Sequence, residues 1–382
     1  MKLSSTSSTN LTFKMLYIIA IFMVVDGHLG SINYLTLNDF MPYQNYHLSL
    51  FIFTSGYFLN LQKNYKDFIT SKLKHLILPL YCWNIIYGLL CLYLNSNYNF
   101  SIGLDFNLHN IFISPLTDGH QFIYNMASWF IVPLFFLQLI SYIVLKPFSQ
   151  TKKHNLSQIS IIFFILSLTL SCLVLTPITT SPHNTRDFTL TFLRIMYFLP
   201  SFSFGFLFRH FLEKKDKLPT ELFFPLIISI YTLLIIKYPN HIHTPSWLND
   251  LQSPPLALFL ISFCAILFWH KIAYLLSPLI KKSKTLNLIA NNTFSIMMHH
   301  FIGFMLLKSI LSLISTNFNH TAFKQNIWYM DYPYSEEILT PIYFIITLVI
   351  TLLIVFTKQR IYDTITTTVK HLPKFKCFIG RE

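Results

Sequence analysis

Charged residues are scarce in this chain. Asp, Glu, Lys and Arg make up 11% of its 382 residues, whereas a soluble domain is typically about 25% charged. Glycine is also rare, with 9 residues, while 53% of the chain is hydrophobic and Phe alone occupies 39 positions. Apolar runs of roughly 17–25 residues recur along the chain, as membrane-spanning helices require. The composition argues against a soluble domain and predicts an all-α, polytopic integral membrane protein.

Several features of metal-binding and nucleic-acid-binding proteins are missing as well. The five cysteines are odd in number and show no CxxC spacing, which argues against a disulfide framework or a zinc site. There is no HExxH or HxxxH pair, so we expect no bound metal. There is also no glycine-rich phosphate loop. The net charge is +13, but the basic residues lie in short loops between apolar runs rather than in one stripe. We therefore expect contact with the lipid bilayer and no nucleic-acid partner.

The apolar runs predict about ten transmembrane helices. Their approximate bounds are 12–30, 47–62, 76–95, 128–146, 158–176, 190–209, 221–238, 255–270, 291–314 and 338–357. If the N-terminus is cytoplasmic, most of the 28 Lys and Arg residues fall in segments on the cytoplasmic side. An even number of spans then leaves both termini in the cytoplasm. We predict a single transmembrane domain over residues 1–362 and a short basic cytoplasmic tail over 363–382.

The first span ends with two residues that are costly to place in lipid, Asp26 and His28. His28 lies fourteen residues after Lys14, or about 21 Å along a helix, towards the outer side of the hydrocarbon core. A neutral imidazole there can take a proton from an alcohol and return it to a leaving group. Asp26 can orient His28 only if the helix ends or bends at Gly27. The alternative is that both side chains are simply wetted at the outer interface.

The second span contains Ser55 and Gly56 near its middle. Ser55 could act as a nucleophile with a histidine partner. The simpler interpretation is that two small residues let neighbouring helices approach closely. His47 begins this span on the outer side, where it could lie near His28.

A cationic cluster precedes the third span, with Lys72, Lys74 and His75 at its cytoplasmic end. Such a cluster would hold the phosphates of a cytoplasmic donor through charge-assisted hydrogen bonds. The preference for positive charge on the cytoplasmic side also accounts for lysines at this position.

The ninth span carries two adjacent histidines, His299 and His300, at a depth similar to that of His28. Neighbouring positions on a helix face about 100° apart, so at most one of the pair is expected to point into a given site. Arg194 in the sixth span needs a partner or a water-filled cavity.

The longest outer segments, 96–127 and 315–337, are rich in Asn, Tyr, Asp and His. They either present polar groups and aromatic faces to a sugar or are ordinary solvated connections. No internal repeat stands out, which argues against an inverted-repeat transporter.

Five short motifs occur in the order found in a known family. They read IIAIFMVVDGH in the first span, YHLSLFIFTSGYF in the second, KLKHLILP at the start of the third, SWFIVPLFF at the start of the fourth and TFSIMMHH in the ninth. In these motifs the chain resembles membrane acyltransferase family 3, which includes bacterial polysaccharide O-acetyltransferases. The resemblance runs over essentially the whole chain.

The resemblance implies an integral membrane enzyme that moves an acyl group, usually acetyl from coenzyme A, onto a carbohydrate hydroxyl. It places the essential histidine of the family on His28 and a later family histidine on His300. The family usually has Arg or Lys where this chain has Tyr17. Lys14 lies about one helical turn earlier and can substitute for it with its long side chain. The RxxR pair of the family becomes Lys72 and His75, which keeps cationic character without the bidentate fork.

These observations predict an O-acetyltransferase of the bacterial inner membrane that acts on a cell-surface polysaccharide or its lipid-linked precursor. The catalytic candidates are His28, Asp26, His300 and Ser55, and the donor-binding candidates are Lys14, Lys72 and His75. Acetyl-CoA is the expected donor substrate and a carbohydrate the expected acceptor, with no metal, and the oligomeric state is left open. The alternatives are a glycan transporter or flippase and a polysaccharide polymerase, which would use the same spans.

Overall fold

The fold is described by a computed structural model. It covers residues 4–29, 40–98, 100, 102–149, 155–180, 187–215, 218–248, 251–314 and 340–371. The predicted outer segment 315–337 and the end of the predicted tail, 372–382, lie outside the described residues.

The described residues form helices joined by short connections, and no strand occurs among them. The helices are α1 (Ser4–Asp26), α2 (His47–Tyr57), α3 (Tyr65–Lys72), α4 (Leu78–Tyr98), α5 (Leu108–Phe112), α6 (Ile131–Ser149), α7 (Leu156–Thr180), α8 (Phe188–Leu207), α9 (Thr220–Lys237), α10 (Pro255–Leu276), α11 (Pro278–Lys282), α12 (Lys284–Asn291), α13 (Thr293–Ile314) and α14 (Thr340–His371). A π-helical turn at Leu73–Ile77 joins α3 to α4, and another at Phe208–Leu212 continues α8. The predicted all-α class is confirmed.

Seven helical stretches of the described chain are long and apolar enough to cross a membrane. They are Tyr65–Tyr98, Ile123–Ser149, Leu156–Thr179, Phe188–Leu212, Thr220–Lys237, Pro255–Lys282 and Thr293–Ile310. The chain is therefore a multi-pass membrane protein. The other three predicted spans fall on α1, on α2 and on the apolar part of α14, Pro341–Thr357. Because α2 has 11 residues, it rises only about 16 Å in a core about 30 Å thick. The total of about ten spans and the cytoplasmic placement of both termini stay predictions.

Helix α14 runs across the predicted domain boundary at residue 362. It continues without a break from Thr340 to His371, across residue 362, where the transmembrane domain was predicted to end. The first part of the predicted tail is therefore an extension of the last helix.

Helix α8 is the centre of the helical assembly, and its residues from Leu193 to Leu207 are buried. Helices α7 and α9 show the opposite pattern, since large apolar side chains such as Leu166, Leu173 and Leu233 are exposed on them. Lipid tails would cover these side chains in a bilayer, because the backbone of each helix is already hydrogen-bonded internally.

Helices α2 and α8 approach each other through two glycines. A Cβ atom on Gly56 would overlap the backbone carbonyl of Phe202, and one on Gly205 would overlap the carbonyl of Phe53. Small residues allow this backbone-to-backbone packing in membrane helices. The prediction that Gly56 permits a close helix approach is confirmed.

Candidate active site

The cavity that contains His28 also contains His47, and we call it the histidine cavity. It has a volume of about 130 Å³. Its polar lining comes from the end of α1, the start of α2 and the loop after α9, and it includes His28, Gln44, His47, Thr244 and Ser246. Three segments that are distant in the sequence thus bring hydroxyl, amide and imidazole groups to one small space.

The imidazole of His28 is held in one tautomer. Its Nδ1 lies 2.7 Å from the backbone carbonyl oxygen of Val24. A carbonyl oxygen only accepts hydrogen bonds, so Nδ1 donates and Nε2 carries the lone pair. A histidine in this tautomer can accept a proton at Nε2, as a general base must.

Helix α1 ends at Asp26, immediately before Gly27, which meets the condition under which Asp26 could orient His28. The backbone N–H of His28 donates to the carbonyl of Val25, so the last turn is tighter than an α-helical turn. Asp26 is 1% exposed, and it does not line the histidine cavity. The group that holds Nδ1 of His28 is the carbonyl of Val24, not the carboxylate of Asp26.

Tyr43 braces the end of α1 against the start of α2. Its hydroxyl donates to the carbonyl of Gly27 at 3.0 Å, and its ring fills the space that a Cβ atom on Gly27 would occupy. The carbonyl of Tyr43 in turn accepts from Nδ1 of His47 at 2.7 Å, which leaves the lone pair of His47 on Nε2. Glycine at position 27 is therefore required for this packing around the histidine cavity.

The two adjacent histidines of α13 face different neighbours, as predicted. The ring of His300 lies beside that of His28, with centroids 5.0 Å apart. Nδ1 of His300 donates to the carbonyl of Met297 at 2.8 Å, and its buried Nε2 has no hydrogen-bond partner among the described residues. His299 instead bonds to the hydroxyl of Tyr87 on α4. Of the pair, His300 is the one whose ring packs beside His28.

A second cavity lies next to the first, and we call it the apolar cavity. Its volume is about 210 Å³. Tyr17 and Ser55 line it together with a largely apolar wall from α2, α6 and α13. Met297 lines both this cavity and the histidine cavity, so the two cavities are neighbours. No described histidine lines the apolar cavity, so Ser55 has no general base beside it there.

A third cavity, which we call the basic cavity, lies at the end of α2. Its volume is about 610 Å³. Lys146, Arg209 and His210 line it with the polar side chains of Asn60, Gln62 and Ser149. In the predicted topology it opens on the cytoplasmic side.

One face of α2 borders all three cavities. His47 lines the histidine cavity, Phe51 and Ser55 line the apolar cavity and Phe58, just after the helix, lines the basic cavity. Intervals of three and four residues place these side chains on the same side of a helix. The three cavities therefore follow one another along α2, over about 16 Å from His47 to Phe58.

The predicted donor-binding residues lie outside these cavities. Nζ of Lys14 donates to Oδ1 of Asn287 on α12 at 2.7 Å. Lys72 lies over the ring of Phe68 on its own helix, and His75 is exposed and bonds to the carbonyl of Ser71. The structure does not bring these three residues together around any of the three cavities.

Buried Arg194 has the hydrogen-bond partners that its charged group requires. Its guanidinium donates to the carbonyl oxygens of Thr117, Asp118 and Ser246. It also lies 4.6 Å from the ring centroid of Trp129. Because Trp129 and Ser246 line the histidine cavity, Arg194 ties two connecting segments into its wall.

A second contact joins the same two segments. The ring of His120 stacks on Trp247 with centroids 4.5 Å apart and an angle of 13°. Its Nδ1 lies 2.6 Å from a carboxylate oxygen of Asp118. Burial lowers the pKa of His120, and the hydrogen bond to Asp118 offsets part of that shift. These contacts of His120 help to fix the wall of the histidine cavity.

The comparison with known families decides the assignment. A profile of the acyltransferase domain matches residues 14–359, which is most of the chain. The chain belongs to acyltransferase family 3. It is therefore a membrane acyltransferase. No curated protein and no solved structure matches it. Among the described residues of this acyltransferase, no group of three or more His, Cys, Asp or Glu is placed to hold a metal ion.

Several residues around the acyltransferase cavities were not predicted from the sequence. Tyr43 and Gln44 lie in a polar connection whose path a sequence pattern does not reveal. Trp129 belongs to the SWF motif, which could have drawn attention to it. From the sequence, Lys146 and Arg209 are only charges at the ends of spans that set the orientation. Their shared cavity depends on how α6 and α8 pack.

Proposed function

We propose that this acyltransferase transfers acetyl from acetyl-CoA to a hydroxyl of a cell-surface polysaccharide or its lipid-linked precursor. The observation that carries the proposal is the state of His28. Its Nδ1 donates to the carbonyl of Val24, and it lines a polar cavity that shares Met297 with an apolar one. This arrangement suits a base that meets a hydrophilic acceptor on one side and an acyl thioester on the other.

In the proposed reaction, Nε2 of His28 takes the proton of the acceptor hydroxyl while its oxygen attacks the thioester carbonyl carbon. A C–O bond forms and the C–S bond breaks. The leaving thiolate then takes the proton back from His28, so the products are an ester and free coenzyme A. Direct transfer is favoured over an acyl-enzyme on Ser55, because no described histidine lines the cavity of Ser55.

His300 would assist by stabilising the imidazolium form of His28. Its unpartnered Nε2 is a lone pair beside a ring that becomes positive during the reaction. Such an acceptor gains strength when charge develops nearby, because buried interactions are poorly screened.

Gln44 supports a carbohydrate as the acceptor. Its Oε1 is buried with no hydrogen-bond partner in the described structure, and it lines the histidine cavity. Leaving a buried acceptor unpaired costs about 1–3 kcal/mol. A sugar hydroxyl that donates to this oxygen would remove that cost. We propose the bacterial inner membrane as the location, since an acceptor at the outer face and a cytoplasmic donor then meet within one protein.

The function is tested with the purified protein in lipid nanodiscs. We expect it to transfer labelled acetyl from acetyl-CoA to surface glycan isolated from the cells that produce the protein. Mass spectrometry detects the ester. Glycan of equal O-acetyl content from cells with and without the gene would contradict the proposal.

A transporter or flippase is the second candidate, because three cavities in series along α2 would also suit a translocation path. Glycan that accumulates on the cytoplasmic side when the protein is removed, with no acetyl transfer by the purified protein, would favour it. A change in glycan chain length without loss of ester would favour a polymerase instead.

The role of Lys14 gives a separate prediction. If Lys14 replaces the cation absent at Tyr17, Lys14→Ala should reduce acetyl transfer nearly as much as loss of His28, with a raised KM for acetyl-CoA. Asn287→Ala is the matched control for the contact that Lys14 makes, since it removes the hydrogen bond but keeps the charge. A fully active Lys14→Ala protein would remove Lys14 from the donor site and leave the role of His28 unaffected.

A further inference from the structure

The basic cavity contains a buried positive charge with an unusual set of partners. Lys146 is 5% exposed and lines the cavity. Its Nζ donates to the carbonyl oxygens of Leu61 and Lys63, each at 2.6 Å. An ammonium group has three N–H donors, so one remains after these two bonds. No carboxylate of the described residues lies within salt-bridge distance of Lys146.

Arg209 brings a second positive charge to the same cavity. One of its N–H groups donates to the carbonyl of Tyr57 at 2.9 Å, and four of its five donors remain for other partners. Glu213, which follows on the same helix end, accepts from the hydroxyl of Tyr57 at 2.8 Å and does not line the cavity. The carbonyl bonds of Lys146 and half-buried Arg209 satisfy donors without neutralising charge, and an unpaired charge on a buried group such as Lys146 is costly.

The surrounding groups suit a phosphate. Asn60 and Gln62, whose side-chain amides can donate to phosphate oxygens, line the cavity with the two cations, and so does Ser149, whose hydroxyl donates to the carbonyl of Lys146 at 2.8 Å. Arginine forms bidentate hydrogen bonds with phosphate oxygens, and lysine adds a point charge. The volume of about 610 Å³ lies in the range of small-molecule sites, roughly 300–1,000 Å³.

The basic cavity follows the apolar cavity along helix α6 as well as along α2. Helix α6 lines the apolar cavity with Leu134 and Gln138 and the basic cavity with Lys146 and Ser149. Gln138 and Ser149 are eleven residues apart, which returns to nearly the same side of the helix. Both α2 and α6 therefore lead from one cavity to the other.

We propose that the basic cavity binds a phosphate group of an organic ligand, with Lys146 and Arg209 as its cationic partners. Two sources carry this chemistry: the nucleotide end of the acyl donor and the headgroup of a phospholipid. The first source rests on the proposed function, with the thioester arm of the donor running along α2 into the apolar cavity. In that case the phosphates are held by residues other than Lys14, Lys72 and His75. This assignment is the rival of the Lys14 hypothesis above, since the two predict weaker donor binding in different variants.

The test measures binding of coenzyme A to the full-length protein in nanodiscs of neutral phosphatidylcholine, which requires no acetyl transfer. Arg209→Gln and Ser149→Asp are expected to weaken binding at least tenfold, the first by removing a charge and the second by adding a repelling one. Lys282→Gln is the control, because Lys282 is an exposed lysine on α11 that does not line the cavity. Thermal unfolding of each variant shows whether it is folded. Lys146→Gln replaces a buried lysine and can unfold the protein, so the decision rests on Arg209→Gln and Ser149→Asp.

A second arm uses nanodiscs that contain phosphatidic acid and detects retained lipid by native mass spectrometry. Weaker coenzyme A binding in Arg209→Gln supports the nucleotide as the source, and loss of retained phosphatidic acid in that variant supports the lipid. If wild type and Arg209→Gln bind both probes equally, or wild type binds neither, the site is overturned. Coenzyme A binding that depends on Arg209 in a protein without acetyl transfer would retain this site and reject only the proposed reaction.

Discussion

His28→Ala is expected to lower acetyl transfer by about 10²–10⁴-fold, the usual contribution of general acid–base catalysis. The substitution removes the imidazole that the carbonyl of Val24 orients in the histidine cavity, next to His300. The loss should appear in kcat rather than in the KM for acetyl-CoA, because the donor binds elsewhere in the proposed arrangement.

The measurement is the initial rate of labelled acetyl transfer by purified protein in nanodiscs, together with the O-acetyl content of the glycan in cells. His109→Ala is the matched control, since His109 is an exposed histidine of α5 outside the three cavities. Both variants should unfold at the temperature of the wild type. Unchanged transfer by a folded His28→Ala protein at equal expression would eliminate the catalytic role of His28.

Gly205→Val is expected to destabilise the protein more than any substitution at a lipid-facing position. A Cβ atom at residue 205 would overlap the carbonyl of Phe53, and a backbone carbonyl cannot rotate away as a side chain can. Overpacking of a core typically costs about 1–3 kcal/mol, and the backbone contact places this case at the upper end. Because α2 carries residues of all three cavities, separation of α2 from α8 should reduce transfer as well.

The effect is measured as the midpoint of thermal unfolding and as the yield of folded protein from membranes. Ser203→Ala on the same helix is the control, since Ser203 is equally buried but the change adds no atom. Gly56→Val should behave like Gly205→Val, because its Cβ atom would overlap the carbonyl of Phe202. A Gly205→Val protein with wild-type stability would mean that the two helices do not approach each other as closely as described.

Two hypotheses place the donor phosphates on different cations, and the donor affinities of the corresponding variants distinguish them. Lys72 and His75 resemble the paired arginines of the family in position, yet neither lines any of the three cavities described above. Lys146 and Arg209 have no motif, yet they share the basic cavity. This difference arises because a motif records the order of residues along one helix, whereas a phosphate site is assembled from several.

Much of this protein follows from its sequence alone. The low charge and the long apolar runs predict helices in a membrane, because only internally hydrogen-bonded segments are stable in lipid. The order of the five motifs indicates the family. Asp26 and His28, which are costly to place in lipid, indicate a functional site at the end of the first span. A local pattern was also sufficient to predict that His299 and His300 face different neighbours, since adjacent helical positions diverge by about 100°.

The tertiary structure decided what these residues contact. No sequence pattern shows that Val24 rather than Asp26 holds Nδ1 of His28, because that depends on where α1 ends. Nor does the sequence reveal that Met297 lines both the histidine cavity and the apolar cavity, or that Lys146 and Arg209 both line the basic cavity. These relations depend on packing between helices that are distant along the chain. Hydrophobic burial drives such packing without direction, so side-chain shape, not residue order, determines which polar groups come together.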